Sequence, residues 1–332
     1  MKFDKLFRTG HQKTILALDV NRDGILSSIS EDGHCILWSS DGQIAQDLDL
    51  SNEHCTLCHL HPLNSIVFDS SNSNTFYISC GKIILVYDIR KCSKSQRKYE
   101  FNTDEINQLC VNHSGRYLAA CDDAGEVKVI DVQESCLFKT LSRHHDNICS
   151  TVQFRPKKSW QLLSAGLDCN IINWDFSCGK PQQIFDINYD IHKKTSNETL
   201  PFINPPFVHS ISLSEDGKKF AAGLGNGDIG LFQFHGKKFK IITSLKAHDT
   251  EVSQIFFHKF KNFEEQSLVS GGNDGRLKIW KEITDGQSSN YKLCYTIVHG
   301  SKVNWITCSS FVKDSIFVAD QSFHVAEYRL EL

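Results

Sequence analysis

Residues 270–280 read Ser270-Gly271-Gly272-Asn273-Asp274-Gly275-Arg276-Leu277-Lys278-Ile279-Trp280, with a histidine, His248, upstream. The same residue types return at matching offsets in two other places, His11…Ser28…Asp32…Trp38 and His144…Ser164…Asp168…Trp174. In all three the Ser stands four residues before the Asp and the Asp six before the Trp. Self-similarity of this kind marks an architecture of repeated units, so the repeat is read before any single segment.

Seven anchor positions follow from the Trp series: Trp38, Tyr87, Ile130, Trp174, Phe232, Trp280 and Tyr328. Each ends a short segment in which apolar and polar residues alternate, such as Val127-Lys128-Val129-Ile130, and period two is a strand signature. Asp32-Gly33, Ala124-Gly125, Asn226-Gly227 and Asp274-Gly275 precede four of these segments. Glycine there admits the positive φ of a tight hairpin. Further strands lie upstream, as in Thr151–Pro156, and no run has a helical period. The expectation is an all-β chain folded as one domain over residues 1–332. An open stack of such units would expose sheet edges, whereas radial closure leaves only short protected ones. A seven-bladed β-propeller is therefore predicted. Phe3–Phe7 precedes the first unit and the last stops just after Tyr328, so the opening segment is expected to complete blade seven as its outer strand. The long connection 186–206 before blade five reads as a flexible surface excursion.

The formal charge of −3 over 332 residues gives no global electrostatic reason to expect nucleic acid or an anionic membrane. Lys157-Lys158 and Lys237-Lys238 with Lys240 read as solvated loop faces. No apolar stretch approaches the ~20 residues that span a bilayer, and residues 1–8 lack a signal-peptide core. An intracellular protein, cytoplasmic and/or nuclear, is expected. The thirteen cysteines are scattered through apolar segments, as small buried hydrophobes are in a reducing compartment.

Several tempting motifs lose to structural readings. Cys55-Thr56-Leu57-Cys58-His59, with His61, matches haem and zinc spacings. On an inner strand, however, its two thiols point to opposite faces, so neither metal nor cofactor is expected. Gly223-Leu224-Gly225-Asn226-Gly227 links two strands and lacks the helix that would aim amides at a phosphate. The Ser, His and Asp of the repeat recur in three blades. That suits a hydrogen-bonded scaffold and not a hydrolase triad with an exposed nucleophile, so no catalytic residue is assigned. Trp305 is either buried between blades six and seven or lines the top of the ring near the central channel, where it could touch a ligand.

The tetrads His11/Ser28/Asp32/Trp38, His144/Ser164/Asp168/Trp174 and His248/Ser270/Asp274/Trp280 resemble the signature of WD40-repeat proteins along the whole chain. Arg143–Pro156, Asp104–Asn107, Asp122–Gly125, His209–Ser212, Gly271–Gly275, Lys302–Trp305 and Val318–Gln321 further resemble the WD repeat-containing protein 53 group, in the same order. Vertebrate members carry a Lys-rich insertion between blades six and seven, where this chain has only Thr284–Asn290. The resemblance implies a non-enzymatic, monomeric platform for other proteins. It also suggests a substrate receptor of cullin-4 RING ubiquitin ligases, docked on the adaptor damage-specific DNA-binding protein 1. Such receptors often carry an aromatic-Asp-any-Arg box, which here matches Tyr87-Asp88-Ile89-Arg90. The stretches after Trp174 and Ile130 lack the Arg. A scaffold in an RNA-processing or chromatin complex is the alternative, and a local Asp–Arg pair that tidies the turn is the plainer reading of the box.

Overall fold

Several strands that end at the anchors are buried on nearly every residue, not on alternate ones. Ile83–Asp88 and Val127–Asp131 are two examples. The computed structural model, which describes residues 3–50, 62–189, 204–261, 263, 265–285, 288–309 and 314–330, shows why. Seven four-stranded antiparallel sheets are arranged so that each lies between two others. Both faces of a blade must therefore be apolar. Seven apolar clusters fill the seven gaps, each drawing on two consecutive blades. The polar member of an alternating segment is accommodated by reaching outward: Lys128 is buried along its stem, and its Nζ donates to Glu126 Oε2 at 2.6 Å.

In blades one to six, four strands pair in chain order from the first to the outermost. The first strands are Ile15–Val20, Ile66–Phe68, Ile106–Val111, Cys149–Phe154, Val208–Leu213, Val252–His258 and Val303–Ser309. Each contacts the next, and the last contacts the first, so they form a closed ring around a channel. Side chains tie this ring across the blades. Asp19 Oδ2 accepts the Phe68 N–H at 2.7 Å, Ser65 Oγ the Leu109 N–H at 2.9 Å, and Gln108 Oε1 the Val152 N–H at 2.8 Å. At the closing seam Asn304 Nδ2 donates to Ile15 O at 2.9 Å.

Blade seven is assembled from both ends of the described chain. Strand Phe3–Thr9 pairs antiparallel with His324–Leu330, from Phe3 opposite Leu330 to Thr9 opposite His324. Arg8 is the pin of this seam. Its Nε and Nη2 donate to Glu327 Oε2 at 3.1 and 2.8 Å, and its Nη1 reaches Ser39 O of blade one at 2.9 Å. Burial would raise the Glu327 carboxyl, but hydrogen bonds from Arg329 and Arg8 hold it below its ordinary value.

The Gly223–Gly227 stretch is a hairpin, with Gly227 at φ +87° and its N–H donating to Leu224 O at 3.1 Å. Cys55–His61 and residues 190–203 of the expected excursion lie outside the described residues. No described helix is long and apolar enough to cross a membrane.

Candidate partner-binding faces

The tetrads fix the loops at one end of the ring, here termed the upper face. Trp38, Trp174 and Trp280 donate from Nε1 to Ser28, Ser164 and Ser270 Oγ at 2.8, 2.8 and 3.0 Å. Each Ser Oγ meets a histidine Nε2: His11 at 2.7 Å, His145 at 2.8 Å and His248 at 2.9 Å. The Nδ1 atoms of these histidines face Asp32, Asp168 and Asp274. Burial lowers the His11 and His248 pKa values, with their aspartates opposing it.

In blade four the histidine is His145, and the assignment to His144 is corrected. Arg143 adopts φ +67°, and His144 then lies edge-on to Trp174 with ring centroids 5.3 Å apart. That is the place of Gly10 in blade one, where an added Cβ would fall 2.9 Å from Trp38. Aligning the residue before each histidine against the Trp would have revealed the shift. A related chain in blade seven carried no such signature. His299 contacts Asp320 Oδ2 through Nε2 at 2.8 Å and Tyr328 Oη through Nδ1 at 2.7 Å. Val318 stands where the serine would be, and the Tyr328 hydroxyl reaches the imidazole directly.

The upper mouth of the channel is a cavity of about 280 Å³. Six first strands are bulged at one equivalent step, which leaves Leu16, Asn107, Ser150, His209, Ser253 and Asn304 as the extra residues. A bulge re-aims a side chain, and all six line the mouth together with Asn64 and Trp305. Trp305 is half-buried and packs against the apolar clusters of blades one and two and of the blade seven–one seam, not between blades six and seven. Among the described residues His209 Nε2 has no hydrogen-bond partner, and it stands 3.8 Å from Glu251 Oε2.

The opposite end presents the Tyr87–Arg90 box. Tyr87 is buried against Phe76, stacked at 5.5 Å between ring centroids. Strand Ile83–Asp88 ends there, and Asp88 caps the 3₁₀ turn Ile89–Lys91 by accepting the Arg90 N–H at 2.9 Å. The Arg90 guanidinium folds back on the same carboxylate, Nε to Oδ1 at 2.9 Å and Nη2 to Oδ2 at 2.6 Å. These bonds, the side-chain one first, lower the Asp88 pKa to about 2. The Asp88 side chain is 10% exposed and that of Arg90 66%. In blade three Asp131 is held instead by Arg116, whose Nε and Nη2 both lie 3.0 Å from Oδ2. In blade four Asp175 accepts the Ser177 hydroxyl at 2.5 Å. Arg116 comes from the preceding turn, so no local box in the sequence announced it.

A ring of seven four-stranded blades, closed by its opening strand and locked by Trp–Ser–His–Asp chains, has the architecture of a WD40 β-propeller, and the chain carries WD40 repeats. The WD domain, G-beta repeat, matches residues 4–39, 93–131, 135–175 and 239–281. The chain is 29% identical to the WD repeat-containing protein 53 homolog of Dictyostelium discoideum, over 94% of its own length and 90% of that relative. It is 25% identical to a guanine nucleotide-binding protein subunit beta of Zea mays over 82% of its length, and 24% identical to the ribosome biogenesis protein WDR12 homolog of Trichoplax adhaerens over 78%. It spans about half of each of the latter two, 57% and 51%. The WD40 propeller domain of Doa1 superposes with a TM-score of 0.74 at 18% identity, covering 98% of this chain and 96% of that one. A WD40 propeller is a scaffold for protein interaction, and this chain has that architecture throughout its described residues.

Proposed function

We propose that the protein is a non-enzymatic substrate receptor of a cullin-4 RING ubiquitin ligase, docking on the adaptor damage-specific DNA-binding protein 1 through the box Tyr87, Asp88 and Arg90, in which the buried Tyr87 and Asp88 hold Arg90 as the exposed contact. One observation carries the reading. A guanidinium two-thirds exposed is held rigidly at the ring's lower rim by a carboxylate that is itself almost buried. The clamp fixes the direction in which Arg90 Nη1 points, and Nη1 has no partner among the described residues. A preorganised arginine is a frequent interface hot spot because little side-chain freedom remains to be lost on binding. In this reading the partners are proteins, the propeller acts as a monomer, and it works in the cytoplasm or nucleus without cofactor or catalytic residue.

The test is affinity purification from the native cell with Arg90→Ala as the control. The expected result is adaptor and cullin peptides with the wild-type chain and a loss of about 2 kcal/mol or more of adaptor affinity in the variant. Wild-type adaptor recovery by a folded Arg90→Ala protein would remove the proposal. A ribosome-biogenesis protein stands among the relatives, so recovery of an RNA-processing assembly without adaptor would favour the alternative scaffold role.

A further inference from the structure

We infer that the upper mouth of the channel binds a single cationic side chain, arginine or lysine, presented by an extended segment of the protein the propeller receives. This rests on the receptor reading and names the chemistry of its other face.

Asn64 Nδ2 donates to Glu105 Oε1 at 2.6 Å and to Ile106 O at 3.2 Å. Asn107 Nδ2 donates to Asp123 Oδ1 at 2.8 Å and to Cys149 O at 3.1 Å. Asn304 Nδ2 donates to Ile15 O and Asp320 O at 2.9 and 3.0 Å. Every partner is a carboxylate or carbonyl oxygen, so the amide orientation is forced: a flip would set oxygen against oxygen. An asparagine amide has two N–H donors, and both are engaged in all three residues. The hydroxyls behave alike, with Ser253 donating to Gly271 O at 3.1 Å and Ser150 to Val208 O. The donors of these five side chains are thus spent on the propeller itself, all but that of Ser253 reaching a neighbouring blade, and what they have left to offer a ligand is acceptor oxygen.

Two further groups complete the selectivity. Glu251 places a carboxylate at the rim, 42% exposed, with its Oε1 accepting from Asn273. Trp305 supplies an indole wall, the aromatic surface that best attracts a cation. Among the described residues no Lys or Arg lines the mouth. Lys302 belongs to the adjoining hollow of about 310 Å³, which shares Glu251. A space of about 280 Å³ holds one long side chain and not a folded element. An anion or a carbonyl-rich ligand would face mostly acceptors, with the His209 ring, the Gln254 amide and the Trp305 indole N–H as the donor-bearing groups of the lining. A guanidinium or ammonium would find a carboxylate, carbonyl oxygens and an indole.

The test uses the full chain and fluorescein-labelled pentapeptides in which a central Arg, Lys, citrulline, norleucine or Glu is flanked by glycines, read by fluorescence polarisation up to millimolar peptide. The Arg and Lys peptides should bind about tenfold or more tightly than the citrulline and norleucine ones. Glu251→Gln, at a solvent-facing position, should abolish most of that preference. Arg90→Ala should bind the peptides as the wild type does, so loss of adaptor docking and loss of this site are separate results. Equal binding of neutral and cationic peptides, no measurable binding of the cationic ones, or an unchanged preference in Glu251→Gln would overturn the inference.

Discussion

The two ends of the channel leave opposite chemistry exposed. At the upper mouth the donors of Asn64, Asn107 and Asn304 are absorbed by bonds within and between blades, so acceptor oxygen is what they have left beside Glu251. At the lower rim the acceptors of Asp88 and Asp131 are absorbed by Arg90 and Arg116, so guanidinium faces outward, with side chains 66% and 47% exposed. The overall charge of −3 conceals this division. The lesson is that the scaffold's own internal bonds decide what each face can bind, because whichever half of a polar pair is used inside leaves its complement outside.

The comparison depends on one rigid ring, and removing closure should damage both faces together. Deleting residues 1–8 removes the outer strand of blade seven and leaves Glu327 with only Arg329 and Ser315. The expected loss is roughly 3 kcal/mol or more, since stranding a buried charge is expensive. An unchanged melting transition in the truncated chain would contradict closure by this strand.

A smaller effect separates two adjacent histidines. His145→Ala should cost about 2 kcal/mol, because the buried Ser164 and Asp168 lose a shared partner. His144→Ala, which removes only an edge contact with Trp174, should cost about 0.5 kcal/mol. Urea unfolding of both variants measures the difference, and equal losses would return blade four to the arrangement expected from spacing alone.

The smallest effect concerns Asp19, which lines the ring of first strands. Burial raises its pKa to about 7, while the N–H groups of Phe68 and Val20 oppose the shift. A carboxyl raised in the folded state binds its proton more tightly there than when unfolded. Its contribution to stability is therefore present at acid pH and lost as pH rises through about 7. Asp19→Asn stays neutral, so its stability relative to wild type should rise by roughly 1 kcal/mol between pH 4 and 7, a figure kept small because the residue is partly exposed. A difference that does not change with pH would show that Asp19 keeps its charge throughout.

The ring was legible in the sequence because its pattern belongs to positions that every blade must fill. A large anchor such as Trp38 or Phe232 is needed at each gap, and a glycine such as Gly227 is needed where φ is positive. The bulge residues escaped because bulging is a backbone event that Leu16, His209 and Asn304 satisfy equally well. Tetrad spacing misplaced the blade-four histidine because the residue before His145, standing in the place of Gly10, is itself a histidine. The His299–Asp320–Tyr328 chain escaped for a related reason: it performs the same tie without serine. The Tyr87–Arg90 box was visible as a local string, whereas Arg116 serves Asp131 from a separate turn.

The most direct measurement crosses the two faces. Adaptor capture and arginine-peptide binding are each measured on Arg90→Ala and on Glu251→Gln. The account predicts that Arg90→Ala loses adaptor and keeps the peptide, while Glu251→Gln keeps adaptor and loses the peptide. Adaptor recovered at the wild-type level by Arg90→Ala, or both activities lost together in either folded variant, would contradict it.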